Sequence, residues 1–97
     1  MTKTQVRSRK NKLYEKLGDL IAELYDIQSE LEELNEECED TASEIEPYEG
    51  YNDLTEEQEE RVSWMEEAAS TFDSSASNLE DAIQYLESAQ SDLEEID

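Results

Sequence analysis

The chain contains no histidine and only one cysteine, Cys38. These shortages exclude histidine-based catalytic triads, Cys–His dyads and ordinary zinc sites. A single thiol forms no internal disulfide and suits a reducing, intracellular setting. Gly18 and Gly50 are the only glycines, so there is no glycine-rich loop to cradle a phosphate. The longest aliphatic run is Leu20-Ile21-Ala22, far short of the ~20 residues that cross a bilayer. Lys3, Arg7, Arg9, Lys10 and Lys12 make the N-terminus basic, but no apolar stretch follows them as a secretory signal requires. A cytoplasmic protein is expected.

Positive charge is the scarcest commodity beyond Lys16. Residues 17–97 hold Arg61 alone against 28 carboxylates, and the whole chain carries −22. That field disfavours direct contact with nucleic acid or an anionic membrane. High charge with low hydropathy often accompanies disorder. Here, however, Gly and Pro together number three, and the apolar residues fall in register.

The register is helical. Apolar residues recur at steps of three and four, with Leu13, Leu20, Ile27 and Leu34 filling one core position. Leu17, Leu24, Leu31, Cys38 and Ile45 fill the other. Gly18 falls outside this seam. The pattern breaks at Glu46-Pro47-Tyr48-Glu49-Gly50-Tyr51-Asn52-Asp53, where proline and turn formers cluster. Thr55 and Gln58 form a capping box, and Glu56 and Glu57 suit the positive end of a new helix dipole. The second seam reads Val62, Met65, Ala69, Phe72, Ala76, Leu79, Ile83, Leu86, Gln90, Leu93.

The expected fold is therefore all-α, an antiparallel two-helix coiled-coil hairpin forming one domain. Its first helix spans about 5–46, its turn 47–54 and its second helix about 55–96. Matched lengths and a short link favour antiparallel pairing, which also sets basic residues 3–16 beside the acidic end at Glu87, Asp92, Glu94, Glu95 and Asp97. A lone hairpin has a thin core. Tyr14, Ile21, Ala82, Ala89 and Ile96 widen the apolar face, offering it to a homodimeric four-helix bundle or to another protein.

The candidate partner-binding surface is the acidic turn and its flanks. It comprises Glu30, Glu32, Glu33, Glu36, Glu37, Glu39, Asp40, Glu44, Glu49, Asp53, Glu56, Glu57, Glu59 and Glu60, with Tyr48 and Tyr51 between them. Spread over ~60 Å of helix, 27 net charges give about one per 2.2 Å, near the ~1.7 Å spacing along duplex DNA. Small, very acidic, helix-rich, histidine-free chains of this kind resemble phage- or mobile-element-encoded inhibitors of host defence, including anti-CRISPR and anti-restriction DNA mimics. The resemblance covers composition and architecture over residues 17–97 and carries no diagnostic motif. It implies occupation of a basic nucleic-acid-binding channel, in the cytoplasm of a host cell if the chain is virus-encoded.

No catalytic residue, cofactor or metal site is expected. The seams hold no acidic residue, and the di-iron pattern of bundles needs Glu-x-x-His. Three roles remain open: an inhibitor presenting carboxylates to a basic nucleic-acid-binding protein, a structural or adaptor coiled coil, and a salt-adapted protein. Solvated outer faces account for many charge runs. Cys38 reads as a small core residue. Trp64 and Tyr85 read by default as partly buried packing, or as contacts to another protomer or a target. Tyr48 and Tyr51 read as packing over the hairpin end or as exposed contacts. The serine-rich stretch 70–77 reads as a soft segment.

Overall fold

Two Thr-x-x-Gln sequences set where the helices begin. At Thr2, the hydroxyl accepts from the Gln5 N–H at 3.1 Å, and the Gln5 carboxamide accepts from the Thr2 N–H at 2.8 Å. Thr55 and Gln58 repeat the arrangement at 3.1 and 2.9 Å. Each box satisfies donors that the first helical turn leaves unpaired. The computed structural model describes residues 1–97 and is all-α. Helix α1 spans Lys3–Glu44 and helix α2 spans Glu56–Glu94, pairing antiparallel as a hairpin. Helix α1 thus starts at its Thr2 cap, two residues before the expected boundary. It stops at Glu44 rather than 46, since Pro47 drives the residue before it out of helical geometry. At the end of α2, Glu95 and Ile96 donate to Asp92 and Leu93, a tighter i to i−3 pattern that closes the helix.

Packing divides into two units, Met1–Gln28 with Asn78–Asp97, and Ser29–Ser77. In the first, Ile21 and Ile83 are the buried side chains, 8% and 2% exposed. Tyr14, Leu17, Leu24, Leu79, Leu86, Gln90 and Leu93 are half-buried around them. Polar links fix the relative direction of the two helical segments. The Tyr14 hydroxyl donates to Glu94 and the Tyr25 hydroxyl to Glu87, while Arg7 Nε donates to the Asp97 carbonyl. Partner numbers fall as α1 advances, so the two segments run antiparallel, and the basic end of α1 lies beside the acidic end of α2.

In the second unit the buried side chains are Ala69 and Ala76. Leu31, Asn35, Cys38, Ala42, Ile45, Val62, Met65 and Phe72 are half-buried. The Gln58 carboxamide donates to the Glu46 carbonyl at 2.8 Å, tying the start of α2 to the chain just beyond α1. Between them Tyr51 N–H returns to the Tyr48 carbonyl at 2.9 Å, with Gly50 at φ +88°. That geometry is a type II turn, whose third residue needs the left-handed region that glycine enters freely. The serine-rich stretch 70–77 is unbroken helix, and the Thr71 hydroxyl donates back to the Glu67 carbonyl at 3.0 Å.

One seam of the sequence reading needs correcting. The second-helix seam lies inward along its whole length, from Val62 to Leu93. In α1, Leu17, Leu24, Leu31 and Cys38 also lie inward. Yet Leu13, Leu20, Ile27 and Leu34 stay 53, 48, 46 and 39% exposed. Their place in the seam is taken by Tyr14, Ile21, Gln28, Asn35 and Ala42. One of the two core positions of α1 shifts by one residue while the other stays, which turns the inward face by about 50° of helical rotation. The apolar face of α1 is wider than one facing helix covers. The polar links made by Tyr14 and Gln90 accompany the part that turns inward.

Gly18 lies against Gln90 rather than away from the contact: a Cβ there would come within 3.2 Å of Gln90 Nε2. That amide donates to the Tyr14 carbonyl, also at 3.2 Å. Trp64 and Tyr85 are not partly buried but 63 and 78% exposed. Ala89 and Ile96 are likewise exposed.

Candidate functional site

The second unit concentrates the charge. It carries 18 carboxylates against Arg61 alone, a net charge of −17, and every one of the 18 is exposed. The first unit carries 11 carboxylates and six cations, a net −5. The cause is the heptad rule applied to a cation-poor sequence. With apolar and small residues occupying the inward positions, each Glu and Asp falls on a solvated position, where an ionised carboxylate keeps its hydration. Without Lys or Arg four residues away, most make no stabilising helical pair.

All the carboxylates expected to contact a partner belong to this unit, as do Tyr48 and Tyr51, which are 60 and 70% exposed. Three shallow depressions gather some of them. Glu44, Glu46 and Glu57 line one with Tyr48, Gln58 and Arg61. Glu56, Glu59 and Glu60 line the second with Glu67 and Trp64, and Glu39 joins Glu66 in the third. Glu30, Glu32, Glu33, Glu36, Glu37, Asp40, Glu49, Asp53 and Tyr51 line none of the three. All of them are exposed.

The residue that sequence reasoning placed wrongly here is Trp64. Its indole stands exposed among four carboxylates, Glu56, Glu59, Glu60 and Glu67. The signal was available, because Trp64 lies off the 62, 65, 69 seam with Glu60 four residues before it and Glu67 three after. A flat aromatic face ringed by anions fits a guanidinium: the ring attracts the cation, and the carboxylates accept its N–H groups.

No group of three or more His, Cys, Asp or Glu residues is placed to hold a metal ion. No helix is long and apolar enough to cross a membrane. The two tyrosines whose acidity shifts both lie in the other unit. Hydrogen bonding to Glu94 raises Tyr14 above the ordinary phenol value, helped by slight desolvation and the same negative charge. Bonding to Glu87 does so for Tyr25. Among known proteins, no family, curated protein or solved structure matches the chain.

Proposed function

We propose that the protein is a non-enzymatic inhibitor whose acidic unit occupies the positively charged nucleic-acid-binding surface of another protein. A nuclease of the CRISPR or restriction type is the partner class that the sequence resemblance suggests. One observation carries the reading: 18 exposed carboxylates faced by a single cation, 15 of them on helices that hold them in place and Glu46, Glu49 and Asp53 in the link. Repulsion among them costs stability, and a solvated surface does not require so complete a lack of cations. Trp64 and the turn tyrosines add aromatic anchors of the kind that dominate binding energy.

The test is capture of basic nucleic-acid-binding proteins from host lysate at two salt concentrations, with duplex DNA as competitor. Binding is expected to weaken steeply with salt and to be displaced by DNA. Reversing Glu32, Glu33, Glu36 and Glu37 to lysine should abolish it while helicity persists. Undiminished affinity after that reversal defeats the reading.

A second reading, an adaptor that holds partners through an apolar stripe, draws on the exposure of Leu13, Leu20 and Ile27. It requires complexes that ignore salt and fail when those residues are changed.

A further inference from the structure

In the first unit, α1 leaves Leu13, Leu20 and Ile27 53, 48 and 46% exposed at seven-residue spacing. Leu17 and Leu24, beside them toward α2, are only half-buried. We propose that this face docks a second copy of the chain, α1 against α1, antiparallel about a two-fold axis at Leu20. Leu20 then meets its own symmetry mate, and Leu13 meets Ile27 of the other copy. The contact closes over Leu17 and Leu24, so that four helix segments share one core.

Charge fixes the partner and the register. Along the outer edge of the stripe lie Lys16 and Glu23, both exposed, each four residues before a stripe position. Antiparallel helices bring like edges together across a two-fold axis. With the axis at Leu20, Lys16 faces Glu23 of the second copy, and the pair forms twice. Moving the axis half a heptad toward the N-terminus sets Lys16 against Lys16. Moving it as far the other way sets Glu23 against Glu23. A parallel contact stacks two N-terminal segments carrying six cations each. Along this edge, which Arg9 and Glu30 continue at seven-residue spacing, only the axis at Leu20 pairs opposite charges without also setting like charges together.

Two quantities agree. The contact is centred in the −5 unit, so two copies meet where repulsion is weakest. The chain exposes 7647 Å², against about 5,700 Å² for a compact monomer of 11.2 kDa. The excess of about 1,900 Å² is spread over the whole chain, and a standard interface would cover ~800 Å² of it per partner.

Sedimentation equilibrium of the full chain should give twice the 11.2 kDa chain mass. Leu20→Glu should give monomer with its far-ultraviolet helical signal intact, because Ile21 and Ile83 remain in place. Lys16→Glu, an exposed change that leaves the hairpin core alone, should raise the dimer dissociation constant about tenfold. Adding Glu23→Lys to it should restore the dimer. A monomeric wild type overturns the proposal and leaves the face to a different protein. A larger assembly, or a dimer indifferent to both single changes, overturns it also.

Discussion

The Tyr14 hydroxyl donates to the Glu94 carboxylate at 2.7 Å, across eighty residues of sequence, and the Tyr25 hydroxyl does the same to Glu87 at 2.8 Å. These bonds need a protonated phenol, so each folded tyrosine holds its proton more tightly than the unfolded one. The stabilising effect is complete below pH ~10 and is lost as the pH climbs through the raised folded value. Tyrosinate absorbance should therefore show part of the transition displaced upward, less so in Tyr14→Phe and Tyr25→Phe. Urea midpoints of wild type should fall as alkalinity increases above pH ~10, and more steeply than those of the double phenylalanine variant. Equal slopes would dismiss the bonds as ornaments of the surface.

Gly18 and Gln90 compete for one space. Alanine at 18 gains about 1 kcal/mol of helix propensity, but its Cβ crowds the amide that bonds the Tyr14 carbonyl. The full gain should appear for Gly18→Ala only in a Gln90→Ala background. In wild type, loss of a bond worth ~0.5–1.5 kcal/mol should cancel most of it. A double-mutant cycle by urea denaturation reads the coupling, and strict additivity would refute the contact.

Asn35 sits half-buried in the seam with its Oδ1 shielded from solvent and unpartnered. Such a group loses its water without replacement. Asn35→Leu should raise stability by about 1 kcal/mol, seen as a higher thermal midpoint. A lower midpoint would mean that the amide has a partner in solution.

Trp64 offers a reporter of the local field. Its four neighbouring carboxylates should concentrate cations and repel anions around the indole. Caesium should quench its fluorescence several-fold more efficiently than iodide at low ionic strength, and added salt should bring the two together. Equal quenching at low salt would contradict the exposed, anion-ringed position.

Steps of three and four, a proline and a capping box were enough to read two antiparallel helices and the turn between them. The roll of α1 was not legible, because Leu13, Leu20 and Ile27 and their neighbours Tyr14, Ile21 and Gln28 make equally periodic lines. Beside the inward Ile21, Gly18 leaves room for Gln90, and Gln90 reaches the Tyr14 carbonyl. That is a contact between residues far apart in sequence, invisible to periodicity. The start of α1 was legible and missed: Thr2 and Gln5 repeat the Thr55 and Gln58 signature. The exposed carboxylates were read directly, since a charge on the outer side of a heptad has nowhere else to go. Trp64 was misjudged because aromatic residues are buried more often than not.

Arg61, the one cation of the acidic unit, also leaves the chain with an unusual digestion map. A protease cutting after lysine and arginine finds many sites before residue 17 and afterwards only this one, preceded by Glu59 and Glu60. Those carboxylates discourage an enzyme whose pocket selects a cation. Trypsin should trim the N-terminal segment and release two long acidic fragments at most, whether the chain is folded or not.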